Sequence, residues 1–247
     1  MAEHIWRDQR YNRQIAVPLF GEHGQTLLSN ASISVIGAGG VKSSLLLHLA
    51  AAGVGYIRII DHDRVELSNL SRQVLYDTRD IGKFKALAAS ERLIALNPDL
   101  HIEAVVDRAN TANYDELLLK FDLVIEGGDS HQSRLEFNRW ACQNNKTYVH
   151  ASAHYNYGYV LTVLPKKTAC YECCYGDMEP TFGGPVPVMC SATAVSGSVA
   201  LAEVINILLG RPPTLAGRVW THQGWTNTTL TYAVDRRKAC SACGSNI

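Results

Sequence analysis

Two groups of side chains carry chemistry in this sequence. In the first, Asp61, Asp63, Asn69, Arg72 and Gln73 fall within thirteen residues, and Lys85 follows. They come soon after a glycine-rich stretch, Gly37-Ala38-Gly39-Gly40-Val41. Such a stretch lets the backbone approach a phosphate, and a helix starting there offers unpaired N–H groups and partial positive charge. A carboxylate about 20 residues further on suits a ribose hydroxyl, a role Asp61 fits. A nicotinamide dehydrogenase would use the turn and Asp61 equally well, but hydride transfer has no need of a guanidinium and an ammonium beside the phosphates. Attack of a carboxylate on the α-phosphorus of ATP does need them, because charge builds on the phosphoryl oxygens in the transition state. Carboxylates at the same mouth can hold Mg2+.

The second group is sulfur. Four of the seven cysteines form two CxxC pairs, Cys170 with Cys173 and Cys240 with Cys243. Four thiolates complete a closed tetrahedral Zn2+ site; a redox CxxC or plain buried thiols are the alternatives. Cys174 reads as an inert neighbour and Cys142 as core within a helix. Cys190, ahead of a long apolar helix, is expected to be structurally buried.

The elements that must position these groups follow from periodicity. Ile33–Ile36 reads as a buried strand, the glycine stretch as a turn, and 41–52 as a helix. Strands at 56–61, 101–106, 123–126 and 147–153 alternate with helices at 83–96, 113–120 and 130–144, the second of these strands preceded by the stop Asn97-Pro98. This order predicts an α/β fold with a doubly wound, mainly parallel Rossmann-like sheet, whose ligands lie beyond the carboxyl ends of the strands. After Ala153 the pattern changes to antiparallel-type strands at 157–164, 218–222 and 228–234, with a long buried helix at 193–209. Residues 178–187, with three prolines and two glycines, read as a crossover loop.

Composition narrows the function classes. The 247 residues fit one domain, 47% are apolar, and charge balances at 23 basic against 23 acidic residues. No global basic field is present to hold nucleic acid or anionic lipid. The start, Met1 to Arg13, is polar and unlike a secretory signal, and the apolar stretches fall short of about 20 residues, so no membrane span and a cytoplasmic location are expected.

At these motifs the sequence resembles the ubiquitin-activating-enzyme-like adenylating family, ThiF/MoeB/HesA. The resemblance runs from Arg10-Tyr11-Asn12-Arg13-Gln14 through the glycine turn, Asp61-x-Asp63, Ser68-Asn69-Leu70-Ser71-Arg72-Gln73, Gly82-x-x-Lys85 and Gly127-Gly128-Asp129 to both CxxC pairs. It implies one adenylating domain over 1–247, with a helical arm at 1–31, a nucleotide-binding half at 32–153 and a substrate-binding and zinc half at 154–247. It further implies that Gly37, Gly39 and Gly40 face the phosphates, Asp61 the ribose, and Asn69, Arg72, Gln73 and Lys85 the triphosphate. Asp63 would share this nucleotide site, and Asp129 would hold Mg2+ or the ATP end near the reacting carboxylate. Arg13 would reach across a homodimer into the partner's site. The implied reaction joins the carboxylate of a small ubiquitin-like sulfur carrier protein, or of a ribosomal precursor peptide, to AMP with release of pyrophosphate.

Three departures from the family pattern bear on substrate. Lys42 replaces the last glycine of the turn, and must either point to solvent or answer an anion such as phosphate. Ser130 stands where asparagine is common, and the crossover stretch 181–187 has no cysteine. The CxxC pairs and the Val188-Met189-Cys190 approach to the long helix look like the microcin-type peptide-modifying branch, whose adenylate serves intramolecular condensation or amidation. A non-catalytic peptide-binding scaffold is the remaining alternative. His150 and His154, at a strand end, are candidates for proton handling.

Overall fold

The computed structural model describes residues 2–128, 130–177 and 186–244, with side chains from residue 9 onward. Asp129 and most of the crossover loop therefore lie outside the described residues. β1 (Ser32–Ile36), β2 (Tyr56–Ile60), β3 (His101–Val105), β4 (Leu123–Glu126) and β5 (Tyr148–His154) run parallel. Most of their residues in β1, β2 and β4 are buried and aliphatic, as strands covered on both faces must be. β6 (Tyr157–Val163), β7 (Arg218–Gln223) and β8 (Thr228–Ala233) continue the sheet antiparallel. Among the described residues the order is β3-β2-β1-β4-β5-β6-β7-β8 in one sheet.

Helices cover both faces. α3 (Gly40–Ala52), α4 (Lys85–Leu96) and α8 (Cys190–Leu208) share one apolar cluster, and α6 (His131–Gln143) with the short α5 (Tyr114–Leu118) and α7 (Tyr171–Tyr175) share the other. The sequence did not foretell α7, a five-residue helix too short to carry a period. α8, at 19 residues, is the one helix among the described residues long and apolar enough, by length and composition alone, to cross a membrane. In the fold it lies on α3, β5 and β6. Its buried Glu203 accepts hydrogen bonds from Thr162 Oγ1 (2.7 Å) and from the Thr214 and Leu215 N–H groups (2.9 Å each).

The N-terminal arm folds as α1 (Ala2–Ile15) and α2 (Gly21–Asn30). Gln14 Nε2 donates to Ala52 O (3.1 Å), and Arg10 donates to Leu96 O (2.9 Å). Gly53, the left-handed cap of α3 at φ +85°, leaves room for Tyr11; a Cβ there would lie 2.6 Å from its ring. α1 thus docks at the C-terminal ends of α3 and α4.

Candidate functional site

The glycine turn connects β1 to α3. Gly37 has φ +84°, which few side chains tolerate. Gly40 opens α3 under close contact: a Cβ on it would fall 2.9 Å from Thr193 Cγ2 and 3.3 Å from Arg72 Cγ. Arg72 therefore lies across the N-terminus of α3, its guanidinium donating to Ser68 O at 3.0 Å. Gln73 is 5% exposed, and its Nε2 would be 3.9 Å from a Cβ on Gly39. Among the described residues its buried Oε1 has no hydrogen-bond partner, an arrangement that favours a ligand with a donor to offer.

The loop that carries Arg72 is held by its own polar residues. Asn69 Oδ1 accepts from the Glu66 N–H at 3.2 Å within a capping box on the 3-10 turn Leu67–Asn69, so Asn69 shapes the loop as well as lying in the motif. Tyr76 donates to Ala38 O (2.9 Å) and Lys85 O (3.3 Å), tying the first turn of α4 to the glycine turn.

Both aspartates sit at the end of β2. Asp61 Oδ2 accepts from the Ala38 N–H (2.7 Å) and Oδ1 from the Asp63 N–H (2.8 Å); burial pushes its carboxyl up from the usual 3.8. Asp63 Oδ2 pairs with Lys85 Nζ at 2.9 Å. Burial works against its charge, but that hydrogen bond and the Lys85 ammonium hold its carboxyl below 3.8. Asp61, His62 and Asp63 bring one ligand atom each within 4.8 Å of one another.

A cleft of about 400 Å³ opens beside these groups, lined by Gly37, Asp61, Asp63, Asn110, Glu126 and Gly128 among others. Its volume is in the range of small-molecule sites, and it lies at the carboxyl ends of the parallel strands. The loop from Asp107 to Asn110 carries no motif, and sequence reasoning missed it.

Of the two readings open to Lys42, the structure excludes the solvent-facing one. The residue is 3% exposed rather than pointing to solvent, and its Nζ donates to the carbonyls of Ala151 (2.6 Å) and Glu126 (3.1 Å). It ties the ends of β4 and β5 on the line of Gly127, where a Cβ would fall 1.7 Å from Nζ.

Beside it, Glu126 and His150 are both buried, with His150 Nδ1 2.7 Å from Glu126 Oε2. Burial alone would raise the Glu126 carboxyl, but the His150 hydrogen bond, with Arg134 and Lys42 near, brings it down to about 2. Burial holds His150 neutral by pushing it below 6.5. Below that pH the unfolded chain takes up a proton at this histidine that the fold does not, so stability should fall as pH drops. His150→Gln should flatten that part of a stability profile measured by urea unfolding between pH 7 and 5; an unchanged slope would remove His150 as its source.

The four CxxC cysteines are brought together as expected. Their Sγ atoms are buried and lie within 4.8 Å of one another, with 3.8 Å from Cys170 to Cys173, 3.6 Å from Cys170 to Cys240 and 3.4 Å from Cys173 to Cys243. These spacings are too long for disulfides and fit four ligands at about 2.3 Å from one Zn2+. The Cys173 Sγ accepts from the Arg237 N–H at 3.4 Å, and Glu172 takes hydrogen bonds from Arg139 and from both the N–H and hydroxyl of Ser241. Cys142 is core, as expected, whereas Cys190 is exposed at the first turn of α8. The first turn of α8 buries Ala192 and Thr193 on one side and leaves Cys190 on the other.

Arg13 is exposed on α1. α3 separates the α1 docking point from the glycine turn by its thirteen residues, about 20 Å at 1.5 Å per residue. The structure does not bring Arg13 to its own chain's cleft.

The chain matches the ThiF family over residues 11–243. It is 37% identical to a sulfur carrier protein adenylyltransferase of Thermus thermophilus, over 95% of this chain and 90% of that protein. It is 33% identical to the sulfur carrier protein ThiS adenylyltransferase of Escherichia coli K12, over 96% and 95% respectively. Of the adenylyltransferase and sulfurtransferase MOCS3 of Culex quinquefasciatus, also 33% identical, it spans only 55%, so it covers about half the length of some relatives. Escherichia coli MccB, solved with MccA-N7isoASN, shares the fold at a TM-score of 0.85 and 21% identity, over 96% of this chain and 75% of that one. With the glycine turn, the Arg72 loop and the cysteine cluster assembled as described, and with near full-length relatives at this level of identity, the chain belongs to the ThiF family.

Proposed function

We propose that this chain is an ATP-dependent adenylyltransferase that joins the C-terminal carboxylate of a small sulfur carrier protein to AMP and releases pyrophosphate. The observation that carries this reading is the placement of Arg72 and Gln73 against Gly40 and Gly39, at the N-terminus of α3. A triphosphate laid on that turn meets the guanidinium, and the Lys85 ammonium stands behind Asp63. The carboxylate attacks already ionised, so no general base is required for this step. Arg72 and Lys85 stabilise the charge that builds on the phosphoryl oxygens, and holding both reactants in one cleft supplies the proximity effect. A bound Mg2+ would neutralise phosphate charge; Asp61 and Asp63 offer it oxygen ligands, with Asp129 as a further candidate. The cysteine cluster holds Zn2+ as a structural ion, and the whole chain acts as one unit with residues 1–31 as its arm. A precursor peptide is the second substrate class.

The test is exchange of labelled pyrophosphate into ATP. Exchange should appear on adding a carrier protein ending in Gly-Gly or, for the second class, a short precursor peptide. No exchange with any carboxylate, together with tight NAD binding, would overturn the reading in favour of a dehydrogenase.

Arg13 contributes in trans on this reading, because its own cleft lies at the far end of α3. Mixing Arg13→Ala with Arg72→Ala chains should then restore part of the activity that each lacks, since one site of a mixed dimer keeps both arginines. Absence of restoration after confirmed subunit exchange would refute a role across a dimer.

A further inference from the structure

A hydroxyl, an imidazole and a carboxylate stand in one hydrogen-bonded line beside the cleft. Ser152 Oγ is 3.0 Å from His150 Nε2, and His150 Nδ1 is 2.7 Å from Glu126 Oε2. Glu126 closes β4 and His150 is its register partner on β5. Ser152, two residues on, shares the face of His150 and lies past the last paired residue of β4; of the three, Glu126 lines the cleft.

Each member is held by something else. The second oxygen of Glu126 accepts from the Gly128 N–H, and Lys42 fixes the backbone on either side through the Glu126 and Ala151 carbonyls. The His150 ring is 1% exposed and packs on Tyr171 at 4.8 Å. Because Nδ1 faces a carboxylate it carries the proton, which leaves the Nε2 lone pair for the Ser152 O–H. Ser152 is the partly exposed member of the three. Nucleophile, base and orienting acid are thereby arranged as in hydroxyl-based acyl transfer.

The surroundings favour an acyl acceptor here. The 181–187 stretch supplies no cysteine, so an acyl group leaving the adenylate finds no thiol on it. The segment leading into α8 pairs with Tyr155, three residues from Ser152: Tyr155 N–H donates to Pro187 O at 2.5 Å and Met189 N–H to Tyr155 O at 2.6 Å.

We propose that Ser152 is a nucleophile that takes the acyl group from the adenylate and holds it as an ester, with His150 as its base and Glu126 orienting His150. The proposal rests on the adenylation reading for the source of the acyl group. Ser152 Oγ attacks the acyl carbonyl carbon, the bond from that carbon to the phosphate oxygen breaks, and AMP leaves with the electron pair. The serine proton passes to His150 Nε2, and the imidazolium faces the Glu126 carboxylate.

A fluorophosphonate–biotin probe tests the relay without ATP or a carrier, its phosphorus taking the place of the acyl carbon and fluoride leaving. The expected result is one phosphonyl group per chain, mapped to Ser152 by peptide mass, absent from Ser152→Ala and formed roughly 10²- to 10⁴-fold more slowly in Glu126→Gln. No label at Ser152 in the native protein would overturn the proposal. Should Glu126→Gln fail to fold, the deciding measurement is the intact mass of the native protein with ATP and a carrier that supports pyrophosphate exchange. An adduct on Ser152 that survives dithiothreitol supports the ester, whereas a thiol-labile adduct on Cys190, or exchange with no adduct, refutes it. Labelling at Ser152 without any exchange would instead break the adenylation reading and leave the relay standing.

Discussion

Arg72→Ala should lower turnover by roughly 10²- to 10³-fold, the range found when one donor to a developing oxyanion is removed. The side chain is half-buried, crosses Gly40 and donates to Ser68 O, but it lies outside both apolar clusters. The variant should therefore fold and unfold as the parent does. If the guanidinium acts on charge that develops only in the transition state, the loss falls on kcat, with KM for ATP changing far less. Steady-state kinetics at saturating carrier, with a thermal melt as control, measure both. A kcat within threefold of the parent would remove Arg72 from the mechanism; a rise in KM alone would make it a ground-state phosphate ligand.

Cys173→Ser should have a larger effect on folding than any surface change. Structural Zn2+ contributes about 10–16 kcal/mol in zinc-finger peptides near neutral pH, and that binding energy is folding energy. Here the metal would join α7 to the chain's C-terminal stretch, which is otherwise hydrogen-bonded to α7 and the residues after it through Ser241 to Glu172 and Arg237 to Glu172 and Asp177. Burial pushes the Cys243 thiol up, and a hydrogen bond with Cys142 together with burial does so for Cys170, so a bound cation is what would ionise them. The native protein should carry one Zn2+ per chain by elemental analysis. The variant should release it and lose a cooperative unfolding transition, and chelation of the parent should do the same. Native protein that is free of zinc yet melts cooperatively would contradict the assignment.

Local chemistry accounts for what could be seen in the sequence. The parallel strands were legible because strands buried on both faces leave aliphatic runs such as Leu123–Ile125, and the glycine turn because Gly37 takes a positive φ and Gly40 lies close under Thr193 and Arg72. The cysteine cluster was legible because two knuckles must each bring their thiols within a few residues. The Glu126, His150 and Ser152 line was not. Its members belong to two strands whose register is fixed by the fold, and alternation along β5 gives no sign of what faces it. The burial of Lys42 was hidden for a related reason: helix-dipole arguments assume a first turn open to water, whereas β4 and β5 supply carbonyls to a buried ammonium here. Cys190 erred in the opposite direction, since the first turn of an apolar helix buries one side, here Ala192 and Thr193, and exposes the other.

The reaction's central step is attack of a carboxylate oxygen on the α-phosphorus, and isotope transfer tests it most directly. A carrier protein whose C-terminal carboxylate is labelled with 18O is carried through turnover with ATP, and the nucleotide and phosphate products are weighed by mass spectrometry. One labelled oxygen should appear in AMP and none in pyrophosphate. Label in inorganic phosphate, or AMP formed without label, would mean that the bond is made elsewhere and that the cations around the glycine turn serve a different reaction.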